Sequence, residues 1–203
     1  MSTGENEIEV KFFMQNLVSF EDKLKQLQTK VIQPRTHEIN LRFDTPEKSL
    51  SKSQQVLRLR RDTKNTVTYK GPGSSEGGVM TRREIEFGVN DFDSTQKLFE
   101  VLGFQVLMMY EKYRAVYQLS DVLITLDEMP YGDFIELEGP DAQSIIQISQ
   151  ELNLNWDKRI LSSYSAIFEQ LCKVSGFSFR DLSFENFRDQ VFDLAQIHIQ
   201  PAD

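Results

Sequence analysis

Short segments in which charged and aliphatic residues alternate recur along this chain, and they constrain its fold more than any other feature. In an extended strand, Glu7, Glu9 and Lys11 would lie on one face, and Ile8 and Val10 on the other. The same alternation returns in six further segments, namely Val56–Arg60, Thr66–Lys70, Arg82–Phe87, Lys112–Tyr117, Leu123–Asp127 and Phe134–Glu138. The chain is therefore predicted to contain many strands that each carry one charged face.

The charged faces place like charges two residues apart, as in Glu7 with Glu9 and Arg58 with Arg60. Such pairs repel unless an opposite charge lies between them. A barrel would gather these faces around one bore, and its closure would remove the exposed strand edges. The alternative is a sandwich with solvated outer faces, which usually carry looser mixtures of polar residues. The predicted fold class is α+β, a closed antiparallel β-barrel of about eight strands with helices packed outside.

Acidic and basic side chains are balanced in the predicted bore. The acids are Glu7, Glu9, Glu84, Glu86, Asp127, Glu136 and Glu138. The bases are Lys11, Arg58, Arg60, Lys70, Arg82, Lys112 and Arg114. The net charge of −8 must therefore lie outside the bore, and it argues against general nucleic-acid binding.

An ordered series of motifs in this chain resembles the CYTH superfamily, the triphosphate tunnel metalloenzymes. The N-terminal ExExK signature of the family is similar to Glu7–Lys11, and its C-terminal Ser-Tyr element resembles Ser163-Tyr164. Between them stand Arg42–Glu47, Leu57–Arg60, Tyr69–Pro72, Arg83–Phe87, Glu111–Arg114, Leu126–Glu128 and Gly132–Gly139. One ExExK motif would be weak evidence, whereas an ordered set on separate strands is strong. The resemblance covers residues 5 to 171.

The resemblance implies that the carboxylates hold Mg²⁺ or Mn²⁺, hard ions that accept carboxylate and water oxygens. The acids that match the metal-binding acids of the family are Glu7, Glu9, Asp127, Glu136 and Glu138. Glu84 and Glu86 are either further metal ligands or partners of the cations in the bore.

Cations of the bore are predicted to bind the phosphoryl oxygens of a triphosphate substrate, with arginine giving bidentate contacts. The predicted substrate-binding residues are Arg58, Arg60, Arg82, Lys112 and Arg114. Lys11 and Lys70 are the catalytic candidates, either as plain phosphate ligands or as donors that orient the attacking water.

Three functions are consistent with such a bore. The favoured one is metal-dependent hydrolysis of an inorganic, nucleotide or thiamine triphosphate. A class IV adenylate cyclase, which converts ATP to cAMP and pyrophosphate, is the second, but it needs a purine pocket that no segment identifies. A non-catalytic polyphosphate- or nucleotide-binding module is the third, and it would not need so many acids.

The chain is predicted to form one tunnel domain over residues 1–174, with a C-terminal helical extension over residues 175–203 packed on it. A homodimer contact is the alternative role of the Phe-rich extension. Gly71–Gly78 is predicted to be a mobile loop at the tunnel rim. No apolar run approaches membrane-spanning length, the N-terminus does not resemble a signal peptide, and the single Cys172 excludes an internal disulfide, so a cytoplasmic location is expected.

Overall fold

Eight antiparallel strands close into a barrel in the computed structural model, which describes residues 6–203. In chain order they are β1 (Asn6–Met14), β2 (Lys30–Asp44), β3 (Val56–Arg61), β4 (Asn65–Glu76), β5 (Val79–Val89), β6 (Gln105–Leu119), β7 (Val122–Met129) and β8 (Gly132–Glu138). Around the barrel their order is β1-β5-β4-β3-β2-β6-β7-β8. The predicted closed antiparallel barrel is confirmed.

The helices pack outside the barrel. They are α1 (Leu17–Gln26), α2 (Ser49–Lys52), α3 (Phe92–Val101), α4 (Ala142–Glu151), α5 (Tyr164–Ser175) and α6 (Phe184–Phe187), with 3₁₀ turns at Trp156–Lys158 and Leu194–Ile197. The four longer helices each begin after a side chain that accepts a hydrogen bond from a first-turn backbone N–H, contributed by Asn16, Asp91, Asp141 and Ser163. Across residues 6–203, no helix has the length and apolar character needed to cross a membrane.

The apolar faces of the strands point outward, and the helices cover a large part of them, although Ile85 and Phe87 of β5 stay exposed. Val10 and Phe12 of β1 are buried in a cluster with Leu24 of α1 and Ile145 of α4. A separate cluster joins the barrel to α3 through Phe43, Leu59, Val67 and Phe92. Burial of each such side chain contributes about 1.5–3 kcal/mol. The outward apolar faces thus stabilise the barrel and leave the inward faces free to carry charge.

Residues 176–203 do not form one continuous helix. They contain the single turn α6 and the 3₁₀ turn at Leu194–Ile197, joined by irregular segments. Phe187 packs against Tyr131 of the barrel and Phe168 of α5, with ring centroids 6.1 and 5.9 Å apart. The backbone N–H of Ala202 donates to the carbonyl of Phe13 at 3.0 Å. The segment is thus packed on the barrel, while the predicted domain boundary at residue 174 stays a prediction.

The prediction of a mobile loop over Gly71–Gly78 was wrong. Strand β4 continues to Glu76, and Gly73–Glu76 pair with residues 79–82 of β5 after a register shift that follows Lys70. Gly77 and Gly78 form the hairpin turn with φ values of 63° and 81°. Two consecutive positive φ angles suit the twist of a hairpin and favour glycine. The Gly-rich composition therefore reflects a bulge and a tight turn.

Candidate active-site tunnel

The bore of the barrel contains a cavity of about 520 Å³ lined by 24 residues, eight of them basic and six acidic. Every strand contributes to the lining, as does the start of α5 through Ser163, Tyr164 and Ser165. The structure brings thirteen of the fourteen predicted site residues into this lining, and the exception is Asp127.

Two contiguous groups of strands line the cavity with opposite charge. We call β8, β1 and β5 the acidic wall, because they carry all the lining carboxylates, Glu7, Glu9, Glu84, Glu86, Glu136 and Glu138. We call β4, β3, β2 and β6 the basic wall, because their charged lining residues are all basic, namely Arg42, Arg58, Arg60, Lys70, Lys112 and Arg114. Lys11 and Arg82 are the basic residues that the acidic wall contributes.

Three carboxylates crowd together on the acidic wall. Glu9 is the cross-strand neighbour of Glu138, and Glu7 lies two residues before Glu9 on the same face. Burial raises the pKa of Glu138 to about 7, and the charges of Glu7 and Glu9 add to this effect. Burial also raises the pKa of Glu7, although Lys70 opposes the shift. A bound cation would relieve this repulsion.

The donor chemistry of these carboxylates fits a hard divalent cation such as Mg²⁺ or Mn²⁺. Within the described part of the chain, no three acidic, His or Cys side chains already converge on one point that could hold a metal ion. The fit therefore rests on the crowded oxygen donors of Glu7, Glu9 and Glu138.

Two lysines, the buried Lys11 and the half-buried Lys70, lie among the acids. The Nζ of Lys11 is 3.1 Å from Glu136 Oε1 and 3.5 Å from Glu9 Oε1. The Nζ of Lys70 is 2.6 Å from Glu7 Oε1. Burial favours the neutral form of both lysines, but the neighbouring carboxylates prevail and raise both pKa values above the ordinary range. Lys11 and Lys70 are therefore ammonium donors at neutral pH, able to orient a water or a phosphoryl oxygen but not to accept a proton.

Asp127 lies behind the lining and is fully buried. It accepts hydrogen bonds from Lys112 Nζ at 3.0 Å, Arg114 Nε at 2.6 Å and the Tyr164 hydroxyl at 2.8 Å. These donors surround both carboxylate oxygens. These contacts make Asp127 an anchor for two cations of the basic wall, while its predicted role as a metal ligand stays a prediction.

Glu136 is also held by cations. Arg114 Nη2 donates to Glu136 Oε2 at 2.6 Å, and Lys11 contacts the other oxygen. Burial would raise the pKa of Glu136, yet Lys11 and Arg114 together hold it well below the ordinary range. Glu136 is thus an ionised carboxylate that joins the two walls.

Glu86 serves as the counter-ion of two arginines. Arg60 Nη2 lies 3.2 Å from Glu86 Oε1, and Arg58 Nη2 lies 3.5 Å from Glu86 Oε2. The hydroxyl of Thr68 donates to Glu86 at 2.8 Å. Burial opposes ionisation, but Arg60 and Arg58 prevail and lower the pKa of this carboxyl. Of its two predicted roles, the contacts favour pairing with the cations of the bore, and Glu84 likewise lies 3.1 Å from Lys70 Nζ.

Arg82 lines the cavity and also contacts the backbone, while its predicted substrate-binding role stays a prediction. Its Nε and Nη2 donate to the carbonyl of Gly71 at 3.1 and 3.0 Å, and Nη2 also donates to the carbonyl of Gln54 at 3.2 Å. Because these donors are used by backbone carbonyls, Arg82 fixes the bulge of β4 to the connection before β3.

Four polar residues of this interior were not among the predicted site residues. Arg42 lines the cavity, Tyr110 accepts a hydrogen bond from Arg58 at 3.3 Å, and Tyr164 holds Asp127. Glu38 is 1% exposed and lies 3.8 Å from Lys112 Nζ. Residues 38–42 alternate like the predicted strands, and this signal could have identified Glu38 and Arg42 as inward-facing.

Comparison with known proteins agrees with this geometry. The CYTH domain model matches residues 5–157. A Methanocaldococcus jannaschii protein named "Putative adenylate cyclase" is 28% identical over 169 residues, which cover 78% of this chain and 95% of that protein. A Vibrio parahaemolyticus structure of the same description has a TM-score of 0.73 at 24% identity, over 82% of this chain and 99% of its own.

A Hippeastrum structure, described as a "putative adenylyl cyclase" that reveals a dominant triphosphatase activity, has a TM-score of 0.62 at 20% identity. The match covers 81% of this chain and 95% of that one. The two solved structures share the tunnel fold with this protein. From the match of the family model over most of its length, this chain belongs to the CYTH domain family.

Proposed function

We propose that this protein is a divalent-metal-dependent triphosphatase that hydrolyses a phosphoanhydride bond of an inorganic or organic triphosphate. The observation that carries the proposal is the pair of opposed walls, with carboxylates on β8, β1 and β5 facing cations on β4, β3, β2 and β6. A polyanion can contact the basic wall directly. The carboxylates of the acidic wall would repel the polyanion unless a metal ion lay between the wall and the polyanion.

Different lining residues would bind the phosphate groups and the divalent cation. Arg58, Arg60 and Arg114 would donate to phosphoryl oxygens and hold the chain of phosphates in line. A divalent cation bound by Glu7, Glu9 and Glu138 would supply charge neutralisation at the phosphoryl oxygens during transfer.

The two lysines would act as hydrogen-bond donors. Lys11 and Lys70 stay protonated beside their carboxylates, so either could orient the attacking water or a phosphoryl oxygen. The acidic wall also argues against a non-catalytic module, because an anion can be bound by bases alone.

Hydrolysis is favoured over cyclisation by the polarity of the lining. The described lining residues that lack a polar side chain are Val56, Gly139 and Pro140. Of the two aromatic residues in that lining, Tyr164 lies under Lys11 and Lys112, whose Nζ atoms are 5.1 and 5.2 Å from its ring centroid, and Tyr110 accepts a hydrogen bond from Arg58. The described lining therefore offers little apolar surface for a purine.

The cyclase remains the second candidate, because the M. jannaschii relative carries an adenylate cyclase name. In that reaction the ribose 3′-hydroxyl attacks the α-phosphorus of ATP, cAMP forms and pyrophosphate leaves. The same cations and the same metal ligands would serve it. The likeness to the Hippeastrum protein shows the fold alone and does not choose between the reactions.

A product assay separates the two candidates. The protein is incubated with Mg²⁺ or Mn²⁺ and with tripolyphosphate, thiamine triphosphate, ATP or GTP, and the products are resolved as orthophosphate, pyrophosphate and cAMP. A triphosphatase should cleave tripolyphosphate to pyrophosphate and orthophosphate, treat ATP and GTP alike, and accept 3′-deoxy-ATP. Stoichiometric cAMP from ATP, with tripolyphosphate bound but uncleaved and 3′-deoxy-ATP inert, would establish the cyclase instead.

A further inference from the structure

Arg42 is a cation of the cavity lining that is not among the phosphate-binding residues named above. It lies in β2, and its cross-strand neighbour in β3 is Arg58. Its Nη1 donates to the Ser165 hydroxyl at 2.5 Å, in the first turn of α5. Ser165 in turn shares a hydrogen bond of 3.1 Å with the hydroxyl of Ser163, the residue that caps α5. Arg42 therefore extends the basic wall to the part of the tunnel that α5 lines.

The other basic residues of the described lining are already held by the protein. Six of them lie within 4.0 Å of a carboxylate, namely Lys11, Arg58, Arg60, Lys70, Lys112 and Arg114. Arg82 donates to the backbone carbonyls of Gly71 and Gln54. Among residues 6–203, Arg42 has neither arrangement, and the Ser165 hydroxyl is its hydrogen-bond partner.

The nearby acids do not neutralise Arg42. Asp44 accepts hydrogen bonds from the backbone N–H groups of Thr45, Leu50 and Ser51, so its oxygens are used by that turn. Glu169 is exposed and outside ion-pair distance of the guanidinium. Burial is the largest influence on Arg42 and lowers its pKa. A half-buried guanidinium without a counter-ion is costly, and an anionic ligand would supply the missing charge.

We propose that Arg42 is a further substrate-binding residue, which donates to a phosphoryl oxygen of the triphosphate at the α5 end of the tunnel. The inference rests on the proposed function and deepens it, because it assigns this end of the tunnel to the phosphate chain instead of an organic substituent. Since Arg42 and Arg58 are adjacent on β2 and β3, their guanidiniums would hold neighbouring phosphoryl groups.

The test is equilibrium binding by calorimetry, with Mg²⁺ and two hydrolysis-resistant probes, inorganic imidotriphosphate and the imido analogue of ATP. Arg42→Gln should weaken the binding of both probes roughly 10- to 100-fold, as expected for the loss of a charge-assisted contact. Arg42→Lys keeps the charge without the planar fork and should lose less. Arg35→Gln is the matched control, because Arg35 lies on the same strand but is exposed and paired with Glu128.

Each outcome has a distinct meaning. Unchanged affinity of Arg42→Gln for imidotriphosphate would overturn the inference and leave the proposed function intact. A loss confined to the ATP analogue would also overturn it, because Arg42 would then contact the organic substituent. Failure of the wild-type protein to bind either probe would overturn the proposed function itself. Thermal melting of each variant shows whether weaker binding reflects a lost contact or a lost fold. Arg42→Lys, which keeps the charge, is a second check on this point.

Discussion

The two walls of the tunnel are built by the same alternation of residues, yet they differ in how completely their charges are paired within the protein. On the basic wall, Lys112 and Arg114 share Asp127, while Arg58 and Arg60 share Glu86. On the acidic wall, Glu138 remains crowded by Glu7 and Glu9. One wall carries surplus negative charge, and on the other Arg42 has no carboxylate partner within the described chain. These two features suggest where a cation and an anion would each bind.

The largest expected effect comes from removing a carboxylate of the acidic wall. Glu9→Gln should lower the rate of triphosphate hydrolysis by roughly 10³-fold or more, because loss of the metal removes several kcal/mol of charge stabilisation. Phosphate release is measured against Mg²⁺ concentration, with the exposed Glu100→Gln of α3 as the control. Full activity of the wild-type protein in excess EDTA would contradict the role given to this wall.

Removing the buried carboxylate of Asp127 should lower the free energy of unfolding. Asp127→Asn leaves Lys112 and Arg114 without the carboxylate that they share, and removal of one partner from a buried ion pair costs about 3–5 kcal/mol. Urea unfolding measures the free energy of unfolding. A variant that keeps its stability but loses its response to Mg²⁺ would show instead that Asp127 is a metal ligand, as the resemblance implied.

The arginines of the basic wall should show a smaller effect that depends on substrate length. Arg58→Ala and Arg114→Ala should each raise the KM for tripolyphosphate, since a lost charge-assisted contact costs about 1.5–3 kcal/mol. The effect on pyrophosphate should be smaller, because a shorter anion reaches fewer cations. Steady-state kinetics with both anions provide the measurement, and equal losses would argue against a row of phosphate-binding cations.

The smallest effect should come from Tyr117, a residue of β6 that lies outside the cavity lining and in the outer apolar cluster. The Tyr117 hydroxyl donates to Glu21 of α1, so Tyr117→Phe should lower stability by about 0.5–1.5 kcal/mol and leave activity unchanged. The hydrogen bond from Tyr117 is the largest influence on Glu21 and holds its pKa below the ordinary value of 4.5. This contribution is therefore present above pH 4.5 and lost as the pH falls through the folded pKa. Urea unfolding over acidic pH should show the variant approaching the wild type.

The alternation in β1 was sufficient to predict both the strand and the side chains that face inward, because register leaves a strand only two faces. It could not predict what lies between those side chains. For example, it could not predict that Tyr164 of α5, which comes 37 residues after Asp127, donates a hydrogen bond to that carboxylate. The pairing of β4 with β5 similarly overrode the loop-like composition of Gly71–Gly78. Such outcomes depend on tertiary contacts that local sequence does not encode.

The closure of the barrel between β1 and β5 has a consequence for motion. Within residues 6–203, the ladder between these two strands joins Asn6–Glu9 to residues 80–83, whereas β2 pairs with β6 along almost its whole length. Short ladders open at lower free energy than long ones. We expect backbone amides of this seam to exchange with deuterium faster than those of Ile39–Arg42, and equal protection would contradict it. The barrel would then open and close locally at the seam between β1 and β5. This local equilibrium would be separate from, and faster than, the folding of the whole chain.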